Sequence, residues 1–427
     1  MSNKSVLVIH PFQQHSFKTA IAVKSAGALQ KYITTVYNKK GSWTNRFQFL
    51  LSKENRSRSD KRKTDALQDS EILQFCEIRA LVLLILQRID KKKNIYGWYF
   101  RRLIKVFNAK VYRYIAREKP HAIIVYDTLS ADLMERIVRN KLDVRIILDM
   151  SAPYYSFMES EFMKDLEKHP EYADDMKSMM ESGLYSYRRH YSKVEIRSAD
   201  AFLAASDFTR KTLELSGVSK PVYLCEYGID DFIDITREYK ERAQKTELPI
   251  KILYVGRVNQ AKGAYLLIDA ARHFNAEQAV FDFYGNYDAD KPIIQNAPEN
   301  CTFHGHVPRQ AMQKAYESSD VLILPTLADG YGFVIPEALS NGVPVICSRN
   351  AGASQLIKEN KNGCLFDAGD KEEVIHILER IVNEPTCIDE MRKNAFASVK
   401  SLSWNRYNEQ IRWALNEIFG DVSDQKR

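Results

Sequence analysis

Cysteine pairs, long apolar runs and repeats are all missing from this chain. Its six cysteines, Cys76, Cys225, Cys301, Cys347, Cys364 and Cys387, are scattered and form no Cys-x-x-Cys. That excludes a zinc ribbon and a disulfide framework, and it favours a reducing cytoplasm. Cys225, Cys347 and Cys364 sit in or beside apolar runs, which suits buried free thiols. The longest apolar run, residues 80–86, falls far below the roughly 20 residues a spanning helix needs. A transmembrane protein is therefore not expected. The run at 5–9 is too short for a signal peptide and reads as a first strand. No recognisable nucleic-acid-binding motif accompanies the basic residues, so nucleic acid is not an expected partner.

What is present is an alternation of short apolar runs and amphipathic stretches, the pattern of an α/β fold. With 427 residues, 45% hydrophobic and 27% charged, the chain can bury two cores and reads as two domains. The formal net charge of +7 suits an anionic ligand or an anionic membrane surface and does not choose between them. Apolar runs predict strands at 5–9, 32–36, 122–126, 144–148, 201–204 and 222–225, with helices at 17–26, 130–138 and 208–215. Ser206 reads as the N-cap of the last helix and Gly217 as its stop. Residues 231–249 are charged and carry no apolar period, so they are taken as a linker after a first domain at 1–230. The second domain, 250–403, repeats the rhythm with strands at 250–255, 279–284, 301–304, 321–324, 344–347 and 364–366. A last helix within 404–427 carries Trp404, Tyr407, Ile411, Trp413, Leu415 and Ile418.

Residues 38–119 interrupt that rhythm and read as a basic insertion. Lys39-Lys40, Arg56, Arg58, Lys61-Arg62-Lys63, Lys91-Lys92-Lys93 and Arg101-Arg102 are interleaved with Trp43, Phe47, Phe49, Tyr96, Trp98, Tyr99 and Phe100. A solvated charged face explains any one cluster. Cations combined with Trp, Tyr and Phe also suit an anionic membrane surface. Aromatics packed beneath the insertion are the competing reading.

Three other places carry candidate chemistry. The loop after the first strand holds His10, Gln13, Gln14, His15 and Lys18. A metal pair, polar contacts to a substrate and a plain surface loop all compete there, and no third metal ligand is near. Asp127 ends a predicted strand, and open α/β sheets bind ligands at the carboxyl ends of strands. Gly256 makes a tight turn after the strand at 250–255. Arg257 and Lys262 lie in the loop beyond, a planar fork and a point charge suited to a diphosphate.

The densest stretch is 324–348, LPTLADGYGFVIPEALSNGVPVICS. A strand leads into a loop with Gly330, Tyr331 and Gly332, and a helix begins near Phe333. Asp329 and Glu337 bracket that loop with seven residues between them. A Gly-rich turn feeding a helix N-terminus presents free N–H groups to a phosphate. A carboxylate one turn into the helix can accept two hydrogen bonds from a ribose diol. An ordinary α/β turn with surface acids would offer the same residues.

This stretch resembles the acid-x7-acid signature, usually EGFGLxxxEAMAxGxPV, of the retaining GT-B glycosyltransferases of family 4 (glycosyl transferases group 1). Asp329, Gly330, Gly332, Glu337, Ala338, Gly342, Pro344 and Val345 fall in place; Asp329 stands where Glu is usual and is one methylene shorter. Residues 199–232 are similar to the family's last first-domain segment, Gly256-Arg257 with Lys262-Gly263 to its diphosphate loop, and 303–308 to its F-x-G-x-V turn. The resemblance implies two Rossmann-like domains facing each other across a cleft, with the last helix crossing back to the first domain. It implies a nucleotide-diphosphate sugar as donor, with no metal and no cofactor. Arg257 and Lys262 would meet the diphosphate, Glu337 the ribose and Asp329 the sugar hydroxyls. Gly256, Gly305, Gly330, Tyr331, Gly332 and Phe333 would line the donor. Asp127 stands near where several relatives carry an active-site His. The family's chemistry implies transfer with retention to a glycan acceptor. Joined to the basic stretch, it gives a lipid-linked acceptor in surface polysaccharide or lipopolysaccharide synthesis, at the cytoplasmic face of a membrane. Another GT-B enzyme, such as a nucleotide-sugar epimerase, and a non-catalytic module binding sugar nucleotide or anionic polymer are the alternatives. The chain departs from many relatives in having no Gly-rich turn after its first strand. Base, sugar, linkage and oligomeric state are not legible.

Overall fold

The computed structural model describes residues 4–12, 14–46, 62–90, 94–229 and 246–420. Seven strands make a first parallel sheet: β1 Val6–Ile9, β2 Leu29–Thr34, β3 Ile72–Gln74, β4 Ala122–Tyr126, β5 Arg145–Met150, β6 Ala201–Ala204 and β7 Val222–Leu224. Their spatial order is β3-β2-β1-β4-β5-β6-β7. Six more make a second: β8 Ile250–Val255, β9 Ala279–Tyr284, β10 Cys301–Gly305, β11 Val321–Leu324, β12 Val345–Ser348 and β13 Gly363–Phe366, in the order β10-β9-β8-β11-β12-β13. In both sheets the chain winds outward one way, then returns to the far side of its first strand. The reversals lie between β1 and β4 and between β8 and β11, and ligand crevices open at such points.

Several strands form where every residue is apolar. β1, β4, β6 and β11 are buried along their whole length, as strands covered by helices on both faces must be. Five strands run as expected from the apolar pattern: β4, β6, β8, β9 and β11. β2 runs over Leu29–Thr34 rather than 32–36; polar Gln30 and Lys31, on its half-buried first half, interrupt the apolar run. Ser206 caps the helix Asp207–Leu215, its Oγ accepting the Thr209 N–H at 3.1 Å.

The stretch read as an insertion is built into the first domain. Ile72–Gln74 adds β3 to the edge of the sheet by pairing with β2. The helix Asn94–Glu118 returns the chain to β4 and buries Phe100, Leu103, Ile104, Phe107, Val111 and Ile115 at spacings of three and four. Phe107, Val111 and Ile115 pack with Leu7, Ile123 and Val125. The cations between them face outward and hide the apolar period in the sequence. Phe100 is 4% exposed and stacks on Phe12, while Trp43 and Trp98 are exposed. Gln13, Phe47, Phe49, Arg56, Arg58, Lys61, Lys91, Lys92 and Lys93 fall outside the described residues, as does most of the linker placed at 231–249. Among the described residues no helix is long and apolar enough to cross a membrane.

The last helix, Trp404–Phe419, crosses back as expected. Tyr407, Ile411, Ala414, Leu415 and Ile418 join Val8, Ala20 and Val23 in the first domain's core, and Thr19 Oγ1 lies 2.8 Å from the Tyr407 hydroxyl.

The two domains meet backbone to backbone. A Cβ at Gly330 would stand 1.9 Å from the Ser151 carbonyl oxygen of the first domain. The Gly330 carbonyl accepts hydrogen bonds from Ser206 Oγ at 2.7 Å and Thr209 Oγ1 at 3.2 Å. Tyr331 donates its hydroxyl to the Tyr227 carbonyl at 2.9 Å. Gly330→Ala should therefore push the seam apart and lower stability by about 1–3 kcal/mol, the usual cost of overpacking. A reduced melting temperature together with a larger radius of gyration in X-ray scattering is expected. A variant matching the parent in both would show that the seam has slack.

Candidate active site

Three cavities run in a row along the cleft, each sharing wall residues with the next. The middle one, 510 Å³, draws Gln14, His15 and Lys18 from the first domain and Gly256, Lys262, Asp329 and Gly332 from the second. Lys262 is aimed by its own loop. The Asn259 side chain accepts the Lys262 N–H at 3.0 Å, and Gly263 follows in the left-handed region with φ 69°. A Cβ at Gly263 would lie 1.7 Å from the Pro325 carbonyl oxygen, so glycine lets this loop lie against the end of β11. Lys262 Nζ then reaches Asp329 Oδ2 at 2.5 Å.

The second cavity, 780 Å³, shares Val255 and Gly256 with the first and adds Arg257, Gly305, Tyr316 and Glu337. Glu337 Oε2 accepts the Tyr316 hydroxyl at 2.9 Å. Burial raises the Glu337 carboxyl above its ordinary range, opposed by that hydrogen bond and by Arg309. Arg257 is exposed at the mouth and lines an adjoining 460 Å³ hollow with Asp175 and Asn286. The two cations expected on a diphosphate thus open on neighbouring cavities, joined at Gly256.

The third cavity, 660 Å³, lies in the first domain and shares Gln14 and Ser151 with the middle one. Asp127 is on its wall. Ser151 donates both its N–H, at 3.2 Å, and its hydroxyl, at 2.9 Å, to Asp127 Oδ1. Burial raises the Asp127 carboxyl.

Of the residues singled out in sequence, Gly256, Lys262, Asp329, Tyr331, Gly332 and Phe333 line the middle cavity, and Arg257, Gly305 and Glu337 the second. Gly330 is at the domain seam instead. Its lack of a side chain serves the approach to Ser151, and its carbonyl is taken by Ser206 and Thr209. Tyr331 spends its hydroxyl on the Tyr227 carbonyl, and Phe333 stacks on the Tyr227 ring with centroids 5.7 Å apart. The helix beyond, Val334–Ser340, has only seven residues.

His10 and His15 do not act as a pair. His10 Nδ1 accepts the Phe12 N–H at 2.8 Å and Nε2 meets Gln14 at 3.2 Å, while burial pushes its pKa down to about 3. His15 Nε2 stands 3.0 Å from both Asp149 Oδ2 and the Tyr227 hydroxyl. Lys18 Nζ lies 4.7 Å over the Trp404 ring, so the last helix also fronts the middle cavity.

Sequence reasoning assigned no role to Glu195. It is 0% exposed on the helix Gly183–Ser198 and accepts the N–H groups of Thr128 and Ser130, each at 2.6 Å. These two bonds hold the turn after β4, where Thr128 sits at φ 64° beside Asp127. Its neighbours in sequence are polar and charged, and a lone acid among them carries no signal. Asp149 had one, since it lies near the end of β5, but its partner His15 is 134 residues away.

Residues 235–398 match the family model described as glycosyl transferases group 1. This segment is a group 1 glycosyltransferase domain. Sulfoquinovosyl transferase of Arabidopsis thaliana is 25% identical over 232 residues, 51% of this chain and 44% of that protein. The amylovoran biosynthesis glycosyltransferase AmsK of Erwinia amylovora is 31% identical over 146 residues, 31% of this chain and 36% of that one. The chain spans less than half the length of these curated relatives. Among solved structures, the lipopolysaccharide outer core galactosyltransferase WaaB in apo form superposes with TM-score 0.59 at 14% identity, over 98% of this chain and 100% of that one. HepE of Anabaena, solved with UDP and glucose, gives 0.57 at 13% identity, over 97% and 100%. The fold is therefore GT-B, with the group 1 domain as its second half.

Burial pushes the Glu195 pKa up to about 8, with the two backbone hydrogen bonds opposing it. A carboxyl whose folded pKa is raised adds stability below its unfolded value, and loses it as pH rises through the folded value. The melting temperature of the parent minus that of Glu195→Gln should accordingly fall as pH is raised from about 5 to about 8. A difference that stays flat across that window would mean that Glu195 is ionised in the folded chain throughout.

Proposed function

We propose that the chain is a retaining, metal-independent glycosyltransferase of family 4, passing a sugar from a nucleotide-diphosphate sugar to a glycan acceptor. The row of three joined cavities carries the reading. A nucleoside fits the cavity of Gly305 and Glu337, with the ribose hydroxyls on a carboxylate that Tyr316 already orients. The diphosphate and sugar follow in the middle cavity, and the acceptor enters past Asp127. Without donor, Lys262 and Asp329 hold each other; with donor, the diphosphate takes Lys262 and the sugar hydroxyls take Asp329. As the bond from the anomeric carbon to the diphosphate breaks, the leaving oxygen keeps the electron pair. Lys262 and Arg257 offset its charge. The acceptor oxygen bonds the same face of that carbon, and its proton passes to the departing diphosphate. A separate cavity for an acceptor favours transfer over epimerisation, which needs none. Group 1 membership supports the donor class. The names of AmsK and WaaB support an acceptor in surface polysaccharide synthesis.

The acceptor is further read as lipid-linked and the enzyme as docking on the cytoplasmic face of a membrane. The helix Glu77–Ile89 supports this. It exposes Ile78 (55%), Val82 (38%), Ile85 (58%) and Ile89 (68%) in one row, while Leu83 and Leu84 line the Asp127 cavity. Exposed Trp43 stands at its start, where its N–H reaches Glu77 at 3.1 Å, and exposed Ile95 and Trp98 open the next helix. Arg46 and Arg102 lie over the two tryptophan rings, at 5.5 and 5.8 Å. Tryptophan settles at lipid interfaces, and each nearby cation contributes about 1 kcal/mol toward anionic lipid.

Lys262→Ala and Glu337→Ala should each lower turnover roughly 10- to 100-fold while circular dichroism stays unchanged, the size of a lost charged hydrogen bond. Turnover should persist in excess chelator, and the product's NMR spectrum should keep the donor's anomeric configuration. Inversion, or abolition by chelator that added metal reverses, would rule out this mechanism.

For the membrane, co-flotation with phosphatidylglycerol vesicles should exceed that with phosphatidylcholine, weaken with salt, and drop several-fold in Ile85→Ser/Ile89→Ser. Equal recovery with both lipids, or none with either, would remove the membrane claim alone.

A further inference from the structure

The Asp127 cavity carries charge that the transfer reaction does not use. Arg62, from the segment before β3, and Arg188, from the helix Gly183–Ser198, both line it. Among the described residues no carboxylate pairs with either guanidinium, and Asp127 is the sole acid on the wall. Arg62 is half-buried, and burial together with Arg88 nearby disfavours its charge. Two cations on one wall, neither held by a carboxylate and one of them half-buried, make the cavity a favourable place for an anion. Guanidinium groups are the side chains best shaped to receive one, through paired N–H bonds to phosphate or carboxylate.

The wall also carries aromatic rings. Tyr96 stacks on Phe100 with centroids 6.1 Å apart, and Tyr155 lies 5.0 Å from Tyr185. Such rings offer apolar faces to the C–H side of a sugar and hydroxyls to its edge. The cavity is large enough for more than one sugar ring, at 660 Å³, and falls in the size range of small-molecule sites.

Building on the acceptor role given to this cavity above, we infer that the acceptor itself carries an anion, a phosphate or a carboxylate, which Arg62 and Arg188 hold. The aromatic rings grip the sugar, and Asp127 faces the hydroxyl that receives the donor. A neutral glycan would leave both guanidinium groups without a partner and bind weakly. The anion has two chemical sources: the phosphate by which a sugar is joined to a lipid carrier, or an acid group on the sugar.

Three soluble probes separate these sources: octyl glucoside, octyl glucuronide and the octyl phosphodiester of glucose. Each is titrated calorimetrically, below its micelle concentration, into the full chain, with UDP, GDP and ADP run in parallel. At least one anionic probe should bind about tenfold or more tighter than the neutral one, the size of a charged hydrogen bond. Preference for the phosphodiester alone points to the lipid-carrier phosphate, and preference for the glucuronide alone to an acidic sugar. Arg62→Gln and Arg188→Gln should each erase most of that preference and leave the neutral probe and the nucleotides unchanged. Arg188 is exposed on its helix, so its variant keeps the test sound if Arg62→Gln folds poorly. Equal binding of all three probes, or a preference that survives Arg188→Gln, overturns the inference. Should no nucleotide bind while the anion preference holds, the donor reading fails and the anion site stands.

Discussion

The carbonyl oxygen of Ser151 and the α-carbon of Gly330 leave no room for a side chain between them, and the geometry of the cleft follows from that contact. Ser151 also donates twice to Asp127, which it fixes on the wall of the first-domain cavity. Gly330 follows Asp329, which holds Lys262. Each of these two carboxylates thus lies beside a residue of the seam, Asp127 bonded to Ser151 and Asp329 next to Gly330 in the chain. Ser206 and Thr209 lock the same loop through the Gly330 carbonyl. Side-chain contacts at such a seam can slip; a glycine against a carbonyl cannot without opening the domains.

Charge along the row is graded rather than uniform. At the second-domain end Glu337 is half-buried, its carboxyl raised and held by a phenol. In the middle Lys262 and Asp329 neutralise each other. In the first domain His10 is kept neutral by burial, Asp127 is raised, and Glu195 is hidden behind the turn that carries Asp127. An ion pair that can be exchanged for a ligand's own charges is a cheaper thing to open than a buried carboxylate, whose loss of partners is strongly unfavourable. The middle of the row is therefore where charge can be rearranged, and its flanks are where it is fixed.

Strands such as β4, β6 and β8 were legible because parallel strands covered on both faces are apolar at nearly every position. The spacing of Asp329 and Glu337 around a Gly-rich turn pointed to second-domain residues that line two adjoining cavities. The long helix Asn94–Glu118 was not legible. Its buried stripe of Phe100, Ile104, Phe107 and Val111 is diluted by outward-facing Arg and Lys, so the stretch looked like an appendage to the domain rather than part of its core. Gly330 shows a different limit: a motif glycine can be read as making room for a ligand when it makes room for a backbone. Glu195 and the contact of His15 with Asp149 depend on residues far apart in sequence, and local pattern does not register such pairs.

The helix Trp404–Phe419 supplies six buried side chains to a core whose other members, Tyr331 apart, come from residues 6–227. Synthesis runs from the first residue to the last, and domains of long chains usually fold in the order they emerge. Here the first domain emerges early with a face of Ala20 and Val23 still uncovered. It waits through the whole of the second domain for its last partner. The first domain to be made is the last to be finished, and a ribosome that stops short of the final helix releases two sheets of which only the second has a complete core.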